Sequence, residues 1–82
     1  HPVEKIIRKL HTPIELYKFY KNNSDFHTAK HMIKKVYGRI NFLIDSPLNI
    51  TEKKSLIRLI IVNAKMIGFR NSFYYLRKII SP

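Results

Sequence analysis

The 82-residue sequence contains no cysteine. Without cysteine the chain has no disulfide framework, no thiol nucleophile and no cysteine-rich zinc site. A domain of this size that lacks such cross-links depends on side-chain packing alone, so we expect its free energy of unfolding to be small.

Acidic residues and glycines are also scarce. The five acids lie mostly at or near predicted helix starts, where a carboxylate caps free N–H groups, and no two are placed for acid–base catalysis. The two glycines, Gly38 and Gly68, stand alone, so there is no glycine-rich phosphate loop. We therefore expect neither an enzyme nor a cofactor.

Long apolar runs are missing as well. The longest, Leu59 to Val62, has four residues, which is far too short to cross a membrane. The first ten residues carry four charges and no apolar segment, so they do not make a signal peptide. We expect an intracellular protein, cytoplasmic or nuclear, that is not secreted.

Positive charge is what the sequence has in abundance. Sixteen lysines and arginines against five acids give a formal net charge of +11. Ile, Lys and Asn make up 30 of the 82 residues, a bias typical of AT-rich coding sequences, so codon usage accounts for part of the lysine content. We expect residues 1–82 to form a single basic domain. Because the chain begins at His1 without Met, we expect this domain to be excised from a larger protein that supplies further domains, with a processed product as the alternative.

Apolar residues recur with the 3.6-residue period of a helix, and no stretch alternates long enough to form a sheet. The predicted fold is all-α, a compact bundle of about five helices with a central, mostly buried fourth helix. The first helix has an apolar stripe from Val3 to Leu10 and ends near His11. Thr12 and Glu15 then predict a capping box at the start of the second helix.

The third helix has the longest apolar stripe, about five turns. Ser24 or Asp25 caps it, and residues 45–47 (Asp-Ser-Pro) end it. Its predicted core residues are Phe26, Ala29, Ile33, Val36, Tyr37, Ile40, Leu43 and Ile44.

The fourth helix is predicted from a cap at Thr51 to Ile67 and is apolar around nearly its whole circumference, which is why we place it centrally. Asn63 would then be a buried amide bonded to a loop carbonyl. Gly68 is a typical helix end, and Asn71 is the expected cap of the fifth helix. That helix runs to Ile80 and should turn four residues inward: Phe73, Leu76, Ile79 and Ile80.

His27 and His31 lie one turn apart on the third helix and could face one metal ion. Lysines surround the pair and would repel a cation, and no cysteine or acid lies close enough in the sequence to be a third ligand. We interpret them as two solvated histidines and predict no metal site.

Basic residues collect on the outward faces of the third and fifth helices, interleaved with aromatic side chains. This combination suits nucleic acid, since cations contact phosphates and rings stack on bases. The predicted nucleic-acid contacts are Lys30, Lys34, Lys35, Arg39, Arg70, Asn71, Tyr74, Arg77 and Lys78. Phe42 and His31, on the same outward face of the third helix, are predicted contacts for a protein partner.

Residues 63–77 predict a helix, a glycine turn and a second helix. The stretch resembles the second helix-turn-helix of arabinose-regulator (AraC-type) transcription factors at Ala64, Ile67, Gly68, Phe69, Asn71, Tyr74, Tyr75 and Arg77. The resemblance implies that the fifth helix enters the DNA major groove. It does not extend upstream, and Asn63 stands where the family has an aliphatic residue. An ordinary helix end at Gly68 explains the same residues.

Two functions follow from these patterns. The first is a non-catalytic module that binds nucleic acid, DNA or RNA, mainly through backbone phosphates. The alternative is a protein–protein interaction domain that docks an acidic or helical partner. A lysine-rich surface that only reflects codon usage would account for either basic face taken alone.

Overall fold

The computed structural model describes the backbone of residues 2–81 and the side chains of residues 5–81, so the predicted role of Val3 lies outside the described side chains. Helices occupy nearly all of the described chain, and no strand occurs in residues 2–81. In chain order the helices are α1 (Pro2–Lys9), α2 (His11–Asn22), α3 (Phe26–Ile44), α4 (Ile50–Val62), α5 (Ala64–Ile67) and α6 (Phe69–Ile80). Since α5 is one turn that follows α4 after Asn63, the predicted all-α bundle of five helices is confirmed.

The junction between α1 and α2 is tighter than the sequence predicts. The predicted capping box at Thr12 is wrong, because α2 already begins at His11 and Thr12 lies inside it. Leu10 between the two helices keeps helical backbone angles and is fully buried. Pro13 fits in the first turn of α2, where a backbone N–H has no partner within the helix. Pro13 therefore continues α2 without breaking it.

The hairpin of α2 and α3 is closed by a short turn in which Ser24 has a positive φ of 62°. Asp25 is the N-cap of α3, one of the two caps that the sequence predicts, and its carboxylate accepts the Thr28 N–H at 3.2 Å. The hydrogen bonds to Thr28 hold the pKa of the Asp25 carboxyl below its usual value. The ionised cap thus stabilises the start of the longest helix.

The N-cap of α4 is Asn49, and the predicted cap at Thr51 is wrong. The Asn49 side chain accepts the Glu52 N–H at 2.8 Å, while Glu52 Oε1 accepts the Asn49 N–H at 2.9 Å. The N–H groups of Asn49 and Glu52 have no backbone partners at the start of the helix, and each is satisfied by the side chain of the other residue. Glu52 is buried.

The fourth helix ends at Val62, five residues before the predicted end. Asn63 is half-buried, and its Nδ2 donates to the Leu59 carbonyl of its own helix at 2.9 Å, not to a loop carbonyl as predicted. Gly68 separates α5 from α6 with φ 98° and ψ 136°, a backbone conformation that other residues avoid. Asn71 is not a cap, because α6 begins at Phe69.

One hydrophobic core joins the helices, with α4 packed against α1, α5 and α6, and α3 against α1, α2 and α6. The molecule is flat, with extents of 39 × 27 × 17 Å. Each helix therefore keeps one face in solvent. The fully buried side chains are Leu10, Val36, Ile40, Leu43, Leu56, Ile60 and Ile67.

This flatness corrects several predicted core positions. The burial of α4 is confined to one face, and Ile61 and Val62 on its other side are exposed. Phe26, at the first position of α3, is 64% exposed. On α6, Ile79 is buried as predicted, but Phe73 is 77% and Ile80 is 66% exposed. The core takes a narrower sector of each helix than the apolar pattern indicates.

Candidate nucleic-acid interface

The outer face of α3 carries an uninterrupted set of basic side chains. Lys30, Lys34 and Lys35 are exposed, as are His27 and His31. The helix from Phe26 to Ile44 contains no acidic residue that could neutralise them. From Lys30 to Arg39 the helix rises about 13 Å, and one strand of a duplex carries one phosphate per 3.4 Å of rise. The face is therefore long enough for about four phosphates.

Arg39, the fourth predicted cation of this face, is only half exposed. Its Nη1 donates to the Lys9 carbonyl at 2.8 Å, which links α3 to the C-terminal end of α1. That bond uses one N–H of a guanidinium that has five. Arg39 therefore has a structural role that the sequence pattern does not reveal, and the three lysines are the exposed cations of α3.

Phe42 and His31, the predicted partner contacts, lie on the same outer face. Phe42 is 57% exposed, as its position on the helix predicts, and borders a shallow cavity of about 300 Å³ with Ile6 and Lys9. The rings of His31 and His27 meet edge to face, with centroids 4.9 Å apart. Within the described side chains, no group of three His, Cys, Asp or Glu residues is arranged to hold a metal ion.

A polar seam connects α3 to α6. The Tyr37 hydroxyl donates to the Ile67 carbonyl at 2.9 Å, and Asn71 Nδ2 donates to the same carbonyl at 3.1 Å. Asn71 Nδ2 also lies 3.5 Å from Tyr37 Oη. The amide nitrogen of Asn71, a predicted base contact, is therefore already occupied inside the fold. The seam fixes the start of α6 against the middle of α3, and Lys78 near the end of α6 borders a cavity with Ile44 at the end of α3.

The remaining predicted residues of α6 are all exposed, but they divide into two edges. Tyr74 and Lys78 lie on the α3 side, with Lys78 Nζ 5.8 Å from the centroid of the Tyr74 ring, which is 52% exposed. On a helical wheel, Arg70 and Arg77 point away from α3, toward the side of Phe73.

Burial raises the pKa of the neighbouring Tyr75 phenol, and Tyr37 and Tyr74 add to the shift.

The helix-turn-helix predicted for residues 63–77 is incomplete. Such a unit joins two full helices through a turn of three to four residues. Here the helix before the turn is α5, a single turn, and Gly68 is the one residue between α5 and α6. The explanation of Gly68 as a helix end fits this geometry better than a DNA-reading unit does.

A second basic site was not predicted from the sequence. A groove of about 540 Å³ lies between the α1–α2 junction and α4. Arg8 and His11 line one side, and Lys54 and Arg58 line the other. The spacing of Lys54 and Arg58 is visible in the sequence, but their position opposite Arg8 depends on how α1 packs against α4, which no local pattern reveals.

Comparisons with protein-family models, curated proteins and solved structures find no match to this chain. Among residues 2–81 there is no helix with the length and apolar character needed to cross a bilayer.

Proposed function

We propose that the protein is a non-catalytic nucleic-acid-binding module that contacts backbone phosphates mainly through the outer face of α3. The observation that carries this proposal is the row of exposed lysines at 30, 34 and 35 on a helix without acids. Exposed lysines that contact phosphates release counterions, which favours binding regardless of base sequence.

The distribution of the acids supports a polyanionic ligand. The described acids outside α2 lie at helix ends. Asp25 is at the start of α3 and Asp45 at its end. Glu52 is in the first turn of α4, where it is bonded to Asn49. On α2, Glu15 faces Lys18 at 3.7 Å. No acid lies within α3 or α6, so the cations on these two helices attract anions.

Aromatic side chains lie at the borders of this field. Phe42 on α3 and Tyr74 on α6 are both half exposed or more and stand beside cations. Rings in such positions can stack on unpaired bases while lysines hold the backbone. We assign α6 the smaller part, because the Asn71 amide is bound within the protein and Arg70 and Arg77 face away from α3.

A salt titration tests the proposal. Affinity for labelled single-stranded and duplex DNA and RNA would be measured by fluorescence anisotropy between ~50 and ~200 mM salt. Contact with three phosphates through Lys30, Lys34 and Lys35 predicts a slope of log K against log salt near −2.7 on duplex, a loss of about 40-fold. Contact with about six phosphates, which requires α6 as well, predicts a slope near −5 and a loss on the order of 10³.

Absence of binding to every nucleic acid at the lowest salt would contradict the proposal. In that case the alternative, a domain that docks an acidic or helical protein, becomes the better account of the surface. Phe42 and His31 would then be its predicted contacts on α3.

A further inference from the structure

The groove between α1 and α4 differs in character from the α3 face. Ile7 and Leu59 are buried beneath it, and Val62 stands exposed at its edge. The hydroxyls of Thr51 and Ser55, one turn apart on α4, also line it. Its volume of about 540 Å³ is within the range of sites that bind small ligands or single peptide side chains.

Basic side chains stand on both sides of this apolar floor. Arg8 and His11 come from the α1–α2 junction, and Lys54 and Arg58 lie one turn apart on α4. No described acidic side chain lines the groove. Glu52 borders a smaller adjoining cavity, where it is buried and its Oε1 accepts the Asn49 N–H. Among the described side chains, the groove therefore presents apolar surface between positive walls.

We propose that this groove binds a short acidic peptide segment of a partner protein. One bulky apolar side chain of the peptide lies on Ile7 and Leu59, and flanking carboxylates contact Arg8, Lys54 and Arg58. Arginine binds a carboxylate through two parallel N–H groups, and the Thr51 and Ser55 hydroxyls add further donors. This is a second activity, at a site separate from the α3 face.

Two other occupants fit the groove less well. Nucleic acid could contact the cations of the groove but would leave its apolar floor unused, because no described Phe, Tyr or Trp lines the groove for base stacking. A second copy of the chain would bring a net charge of +11 against the same charge, and has only five acids to offer. An acidic segment with an apolar anchor complements both the charge and the floor.

The test uses the whole chain and a fluorescein-labelled peptide of sequence Glu-Asp-Leu-Phe-Asp-Glu at ~150 mM salt, where distant charges are screened. One control peptide replaces the acids by their amides, and another replaces Leu-Phe by Ala-Ala. We expect both controls to bind at least about 10-fold more weakly, since each removes one half of the complementarity.

Protein variants locate the site. Arg58→Ala and Lys54→Ala each remove one positive charge from the groove, and Lys34→Ala removes one from α3 as a matched control. All three side chains are exposed, so the variants should remain folded. Arg58→Ala should weaken peptide binding about 10-fold or more, and Lys34→Ala less than about 2-fold.

Three results would overturn the proposal. Equal weakening by the three variants would mean that only net charge attracts the peptide. If the amide peptide bound as tightly as the acidic peptide, the cations of the groove would have no role in recognising it. Loss of nucleic-acid affinity in Arg58→Ala, with no binding of the acidic peptide, would assign the groove to nucleic acid. Failure of nucleic-acid binding itself would leave the peptide result unaffected.

Discussion

At the scale of single residues, the two glycines have opposite roles. Gly68 separates α5 from α6 at φ 98°, whereas Gly38 lies inside α3, where an added Cβ would meet nothing within 4 Å. Gly68→Ala should therefore destabilise the protein by about 1–3 kcal/mol through backbone strain. Gly38→Ala should stabilise it by roughly 0.5–1 kcal/mol, because alanine favours the helix. Urea denaturation of both variants checks the opposite signs.

The sequence and the structure give different N-cap residues for α4: Thr51 is the predicted cap, and Asn49 is the observed one. Asn49→Ala should lower the free energy of unfolding by about 1 kcal/mol, because the Glu52 N–H loses its acceptor. Thr51→Ala should change it by less than about 0.5 kcal/mol, since Thr51 is exposed within α4. Urea denaturation of both variants measures these changes. A larger loss of unfolding free energy for Thr51→Ala than for Asn49→Ala would contradict the observed cap.

Both Asn49 and Thr51 are good cap residues, which explains why sequence alone chose wrongly. The Thr-x-x-Glu pattern at Thr12 failed for a related reason: burial of Leu10 keeps the α1–α2 junction helical, so no helix start exists at Thr12. At Asp25, by contrast, the turn at Ser24 ends α2 locally, and the predicted cap is correct. Local chemistry predicts a cap well only where no tertiary contact competes.

At the scale of helices, α6 shows what periodicity can and cannot predict. Its extent to Ile80 and the burial of Ile79 follow from the apolar pattern. The exposure of Phe73 does not, because the sector that is covered depends on how α3 and α4 cross α6. The same holds for the α3 face, where exposure of the lysines was predictable but the bond between Arg39 and Lys9 was not.

A pair of substitutions tests this assignment of faces. Ile79→Ala should cost about 2–5 kcal/mol, since it leaves a cavity in the core. Phe73→Ala should cost less than about 0.5 kcal/mol, because the ring is mostly in solvent. Chemical denaturation monitored by circular dichroism gives both values. If Phe73→Ala lowers the free energy of unfolding as much as Ile79→Ala does, the Phe73 ring is buried in solution, and the assignment of Phe73 to the exposed face of α6 is wrong.

At the scale of the whole molecule, charge and shape act together. A flat bundle leaves most cations in solvent, and the few described acids lie at helix ends or on α2. The net charge follows directly from the composition, and the basic face of α3 follows from the local helical period. The sequence does not predict the groove between α1 and α4 or the seam between Tyr37 and Asn71, because both join residues about thirty or more positions apart. Such sites depend on the packing of the assembled fold.

Charge reversal on α3 distinguishes phosphate binding by this helix from a general effect of net charge. The double variant Lys34→Glu/Lys35→Glu is compared with Lys54→Glu/Arg58→Glu on α4, since each pair lowers the formal net charge by four, from +11 to +7. The affinity of both for the same labelled oligonucleotides is measured across the salt range, after thermal melts show that each is folded. The α3 variant should lose at least about 10-fold in affinity, and its salt slope should fall by about 2, while the α4 variant changes much less. Equal affinities for both variants and the wild-type protein, or equal losses in the two variants, would contradict the assignment of α3 as the phosphate-binding face.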